Sequence, residues 1–225
     1  MEIFKKTLMM LTMLALPVLC FAQPEVCKVS FTGQSPTIKD FARAYCSQLE
    51  ADSFEREALA AIARGNAKHG ETECVVDTKN GYAHYKVVSP EGIAITFEMC
   101  YWNCDNKNEK VVAVNTIDSS MGFDESILTF YRYNVKTKKM MLIEAPFDRA
   151  PNAIDLIDEN NADKATIDMV LNSRNEDASK FQPCFILPRT GKDITYRMAD
   201  PNAVPKAFQL EGKLLWDGNG FCPEK

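Results

Sequence analysis

Histidine is scarce: His69 and His84 are the only two among 225 residues. A metalloprotease helix needs two histidines one turn apart, and a zinc site needs three or four ligands in ordered spacing. Two histidines far apart in the chain supply neither, so no metal is expected. Positive charge is also short. Lys and Arg number 26 against 31 Asp and Glu, for a net charge of −5. With no basic tract, the chain lacks the electrostatic footprint of a nucleic-acid binder. Gly-rich phosphate loops are missing, and so is the spacing of a βαβ unit, which argues against nucleotide cofactors. No serine-hydrolase elbow is present either. Gly33-Gln34-Ser35 begins one, but Thr37 stands where the final glycine belongs.

One apolar run does exist, at the start. Residues 1–22 read MEIFKKTLMMLTMLALPVLCFA, with Lys5 and Lys6 ahead of an uncharged stretch from Thr7 to Leu19. Cys20 and Ala22 then supply small residues at the two positions a signal peptidase inspects, for cleavage after Ala22. That layout predicts a secretory signal peptide over 1–22 and a chain beginning at Gln23. Leu19 before Cys20 fails the small residue that lipid attachment requires. The run is shorter than the ~20 apolar residues of a spanning helix, and no later segment approaches that length. The expected location is therefore secreted or periplasmic, with no transmembrane segment left after cleavage. Residues 23–225 suffice for one domain.

Beyond the leader the chain keeps Cys27, Cys46, Cys74, Cys100, Cys104, Cys184 and Cys222. Export places them where thiols pair, so these seven are disulfide candidates, with one left over. Connectivity is open, except at Cys100 and Cys104. They lie in what reads as one strand, where four residues span roughly 13 Å. A disulfide needs Cα atoms within about 7 Å, so a straight strand would send the two to different partners.

Periodicity then sets the organisation. Ile38, Phe41, Ala42, Tyr45, Cys46 and Leu49 form a helical apolar stripe, and a second helix is expected from Ser53 to Arg64. From Glu73 the period changes to two. Strands are expected at 73–76, 82–88, 93–103, 110–116, 126–133 and 139–144, joined by short turns such as Asn80-Gly81. Residues 145–164 read as a long connection, 165–171 as helix or strand. Further strands are expected at 184–188, 193–198, 207–210 and 212–216. The fold class predicted is α+β: two N-terminal helices (about 36–65), then an antiparallel β-sheet meander within a β-rich body (73–222), stabilised by disulfides.

Within this frame no catalytic set assembles. Cys100-Tyr-Trp-Asn-Cys104 has three intervening residues and strand context, unlike a redox motif. His84, His69 or Glu98 could serve a hydrolase, yet none has a legible partner. Asp158, Asn160 and Asp163 approach a calcium loop, but Ala162 interrupts the series and Met169 stands in place of the closing acid. Aromatic residues offer the remaining signal. Tyr101, Trp102, Tyr131 and Tyr133 sit at strand positions where recognition surfaces and cores both use them. The function expected is a non-enzymatic binding or interaction protein with a protein or glycan partner, meeting it through these aromatics. The alternative is a secreted hydrolase whose site is not legible.

Overall fold

The computed structural model describes residues 25–50, 53–65, 67–69, 72–174 and 176–224. The leader assigned to residues 1–22 lies outside the described residues.

Sequence alternation builds the centre of the molecule. β1 is Val26–Lys28, and β2 to β8 are Ala67–His69, Thr72–Asp77, Tyr82–Val88, Ala94–Asn103, Glu109–Asp118, Glu125–Asn134 and Lys139–Ile143. They form one antiparallel sheet in the order β1-β8-β7-β6-β5-β4-β3-β2. Strands β2 to β8 are thus neighbours in sequence and in space, and β1 adds at the β8 edge. Short turns enforce this path. At Asn80-Gly81, Gly81 has φ +69, and a Cβ there would meet the Tyr101 ring at 2.7 Å. Only glycine supplies both the conformation and the room.

Consecutive residues of each strand enter different layers. On one face Phe97, Met99, Val112, Val114, Tyr131, Tyr133 and Met140 meet two helices. These are α1, Ile38–Cys46, and α2, Phe54–Arg64. Asp40 accepts from the Thr37 N–H at 2.8 Å to start α1, and the Ser53 hydroxyl accepts from the Arg56 N–H at 3.3 Å to start α2. Their stripes bury Ile38, Phe41, Tyr45, Leu59 and Ile62. Side chains of this size contribute about 1.5–3 kcal/mol each when fully buried.

On the other face Cys100, Trp102, Val111, Ala113 and Phe130 meet a second sheet. Its strands are β9, Pro183–Ile186; β10, Ile194–Met198; β11, Gly212–Trp216; and β12, Phe221–Pro223. They run in the order β12-β11-β10-β9, antiparallel throughout. Two further helices, α3 (Lys164–Asn172) and α4 (Glu176–Lys180), precede this sheet. The architecture is therefore three layers: helices, eight-stranded sheet, four-stranded sheet.

The α+β class and the antiparallel meander hold, and two finer expectations do not. Helices are not confined to the N-terminal part. Asp163 caps α3 by accepting from the Thr166 N–H at 2.7 Å, and Val170 buries its inner side. The strand expected at 207–210 is instead a short 3-10 turn, Lys206–Phe208, following Pro205.

Disulfide stabilisation is the larger correction. No disulfide joins Cys27, Cys46, Cys74, Cys100, Cys104, Cys184 or Cys222. The strand register explains why. Cys27 stands opposite Met140, Cys74 opposite Tyr85 and Ala67, and Cys100 opposite Tyr82 and Ala113. Cys184 faces Arg197, and Cys222 faces Leu215. No cysteine meets another across any of these pairs. The strand does run straight past Cys100 to Asn103, so Cys104 is carried away from it.

Candidate functional site

Tyr131 and Tyr133 are fully buried and Trp102 is 4% exposed, so these three belong to the core and not to a contact surface. Each points into a packed layer because strand alternation leaves it no other side. Tyr133 packs edge-on to Phe41 at 5.1 Å. Trp102 donates its indole N–H to the Lys192 carbonyl at 2.7 Å and stacks on Trp216. Tyr101 is half-buried against Phe41.

Glu98 lies in a different setting from a surface acid. It is buried, and His84 and Asn115 are its register partners on β4 and β6. The Tyr82 hydroxyl donates to Glu98 Oε1 at 2.9 Å. Glu98 Oε2 accepts from the Leu187 N–H at 3.1 Å and from the Asn115 amide at 3.2 Å. Asn115 also donates to the Phe185 carbonyl at 2.9 Å. The Ser126 hydroxyl donates to Asn115 Oδ1 at 2.8 Å and accepts from the Phe185 N–H at 3.3 Å.

These bonds share one purpose. β9 is the outer strand of its sheet, and Phe185 and Leu187 turn their backbone groups away from β10. Glu98 and Asn115, register partners on β5 and β6, and Ser126, one diagonal step away on β7, bond those groups in turn. A row of side chains thus does for β9 what a neighbouring strand would do. Burial raises the Glu98 carboxyl above its ordinary range, opposed by the Leu187, Tyr82 and Asn115 donors.

Most of the other candidate groups are buried or already bonded. Burial lowers His84 below the ordinary histidine value. Its Nδ1 lies 3.4 Å from the Tyr82 hydroxyl, and its buried Nε2 has no hydrogen-bond partner. Desolvation pushes the Cys27 and Cys184 thiols up to about 11 and raises Cys100 and Cys104 as well, the reverse of an activated nucleophile. Asp158 accepts from the Asn160 N–H at 3.1 Å, and Asp163 is spent on the α3 cap. The side chain of His69 lies outside the described residues. Among the described residues no group of three or more His, Cys, Asp or Glu is placed to hold a metal, and no helix is long and apolar enough to cross a membrane.

Open surface is found elsewhere, along β7. β6 pairs with all of β7, from Glu125 to Asn134. β8 pairs only with Phe130–Asn134, ending at Ile143 opposite Phe130. The chain then turns away, with the Phe147 N–H bonded to the Ala145 carbonyl at 2.8 Å and Phe147 bridged to Phe221. Residues Glu125–Thr129 are left without a strand neighbour on the β8 side.

Two grooves flank that vacancy. One of about 450 Å³ is lined by Ile127–Phe130 and by Leu142–Ala145. The other, about 370 Å³, includes Asp124–Ser126, Ala145, Phe147 and Phe185. They share Ala145 and meet along β7 between Ser126 and Ile127. Ile127 is 53% exposed and Leu142 37%. A further cavity of about 880 Å³ lies at the Pro201–Glu211 segment, where the Gln209 amide already donates to the Val204 carbonyl. None of the three is lined by Glu98, His84 or a cysteine.

The groove residues are the part that sequence reasoning missed. A signal was present: Ile127 continues the apolar alternation of β7 while the strand opposite it ends early, at Glu144-Ala145-Pro146. The chain matches no protein-family model, no curated protein and no solved structure.

Proposed function

We propose that this chain is an exported, non-enzymatic binding protein whose contact surface is the vacant half of β7 with its two grooves. The observation that carries this reading is the edge itself. Five residues of a central strand stand unpaired on one side, beside exposed Ile127 and Leu142. Exposed strand edges are templates for pairing, and folded proteins ordinarily cover or guard them. Pro and Lys, the common guards, are missing from Glu125–Thr129. A protein partner suits this surface better than a glycan, because backbone pairing is what it offers. Export rests on the charged start, apolar run and small-residue end of residues 1–22. Buried thiols without cysteine neighbours are compatible with an oxidising compartment, since pairing needs two sulfurs within reach.

The hydrolase reading has one observation in its favour, a buried carboxyl raised in pKa beside a histidine. The Ser126–Asn115–Glu98 row gives that carboxyl a structural task, and no groove reaches it.

Two measurements test the proposal. Protein recovered from its native cell is expected to begin at Gln23 by intact mass, and an intact Met1 would remove the export half. For binding, the immobilised chain is exposed to an envelope extract, and the retained species is purified and titrated. Saturable binding of one species is expected. Its absence, or labelling by thiol- or serine-reactive probes that a substrate suppresses, would sink the binding half.

A further inference from the structure

The backbone at the vacant edge specifies the kind of partner. In an antiparallel ladder a residue turns both its N–H and its C=O to one side, and alternate residues turn to opposite sides. The Val135 N–H bonds to the Asn108 carbonyl next to β6, so odd-numbered residues of β7 serve β6 and even-numbered ones serve the β8 side. Asn134, Arg132 and Phe130 are met there by Lys139, Met141 and Ile143. Leu128 and Ser126 are the next two in that series and meet no strand. Each presents one donor and one acceptor in line with β8. The Ser126 side chain is engaged on the face by Asn115 and Phe185, so its main chain is the part left free.

Side chains around the edge add a charge preference. The two grooves contain Asp124, Glu125 and Glu144 and no Lys, Arg or His. Asp124 is bonded to Arg197. Glu125 and Glu144 are exposed and make no ion pair among the described residues. On the helix face, Ile127 and Leu142 lie on the same side as Tyr131 and Met140 but beyond the helical cover, which leaves an apolar step beside the edge. A second copy of this chain would bring the same acids together, in a molecule already at net charge −5. Like charges close together disfavour that pairing.

We infer that the vacant edge takes an extended, cationic peptide segment of another protein. The segment adds as a strand antiparallel to β7, on the line that β8 leaves at Ile143. Its main chain pairs with Ser126 and Leu128, an apolar side chain rests on Ile127 and Leu142, and Lys or Arg side chains meet Glu125 and Glu144. This is strand addition to a sheet edge, where main-chain bonds give affinity and alternate side chains give selectivity. The inference rests on the binding reading above and narrows it to a partner chemistry.

The test uses the purified full chain and three synthetic eight-residue peptides of alternating Val and Thr. One ends in Lys at both termini, one in Glu, and the third is Lys-ended with its interior backbone nitrogens methylated. Affinity is read by fluorescence anisotropy, and amide exchange is followed at Ser126 and Leu128. The Lys-ended peptide is expected to bind at least about tenfold more tightly than the Glu-ended one, since every 1.4 kcal/mol is tenfold. It should also slow exchange at both amides, and methylation should abolish both effects. The double variant Glu125→Lys, Glu144→Lys, on exposed positions, should reverse the charge order. Equal binding of the methylated peptide would overturn the inference, as would unchanged exchange at both amides with every peptide. Slowed exchange at these amides without peptide, rising with protein concentration, would overturn it in favour of a second copy. A natural partner whose footprint lies away from β7 would end this inference and leave the binding reading standing.

Discussion

Glu98 sits where water is replaced by three hydrogen-bond donors, and the balance has a sign that can be measured. Its carboxyl is raised in the folded chain relative to an ordinary glutamate. A raised group contributes stability that is fully present below its unfolded pKa and is lost as pH climbs through the folded value. Glu98→Gln keeps the shape, accepts from Leu187 through its oxygen and donates to Tyr82 through its amide. Urea unfolding of both proteins at about pH 4 and about pH 8 should show the glutamine variant gaining on the parent as pH rises. The opposite trend would mean that the donors outweigh burial. The thiols allow a second prediction. Cys46 and Cys222 are half-buried, and the other five are buried. A thiol-reactive dye should therefore label two groups quickly in the native chain from Gln23 onward, and all seven in denaturant. Fewer than seven in denaturant would show that cysteines had paired. Sequence made Glu98 conspicuous, but not its partners. They follow only once the Cys104–Asn108 turn sets Glu98 opposite Asn115, because register decides which polar residues on one face touch.

At the scale of elements, the strands with clean alternation and firm turn residues were legible. Tyr82–Val88 lies where the alternation puts it, and Glu109–Asp118 extends the expected 110–116 by a few residues. Three-residue strands such as Val26–Lys28 and Phe221–Pro223 are too short to show any period. In Lys164–Asn172 the apolar residues Ile167, Val170 and Leu171 fit a helix or a strand, and the Asp163 cap decides it. The aromatic positions were legible as strand residues, while their exposure was not. Alternation says that half of them face inward but not which layer waits on the far side. Here both faces are covered. Trp102→Ala accordingly tests stability, not recognition. It removes the bond to Lys192 and the contacts with Trp216 and Phe221, and a loss of about 3–5 kcal/mol is expected by denaturant unfolding. A loss under 1 kcal/mol would show that the second sheet closes over the gap.

At the scale of the whole molecule, the three layers are joined in two different ways. The helices hold to the large sheet through apolar packing and a hydrogen bond from the Tyr85 hydroxyl to Glu57 on α2, at 2.9 Å. The small sheet does so through packing and also through the Ser126–Asn115–Glu98 row beneath β9. Asn115→Ala breaks that row at its middle and leaves the Phe185 carbonyl without its donor, a cost of about 1–3 kcal/mol for a buried group. Hydrogen exchange should then quicken across β9 to β12 and leave α1 and α2 close to their parent rates. Equal acceleration of both layers would mean that the molecule opens as one unit. The layering itself was half legible. Helix stripes and sheet alternation announced the first interface. The second depends on strands that begin 65 positions after β6 ends, which local pattern cannot place.

The position of β1 bears on how the polypeptide matures. Val26–Lys28 emerge early from any machinery that makes or threads the chain from its amino end, yet they seat against Lys139–Met141. Each hairpin of the meander forms from near neighbours, whereas this junction must span the whole of it. Loop closure becomes only slowly more costly with length, so the junction is affordable, but it is available only at the end. Val26–Lys28 therefore wait as an unattached segment until the last strand of the meander arrives, and their docking marks the large sheet as finished.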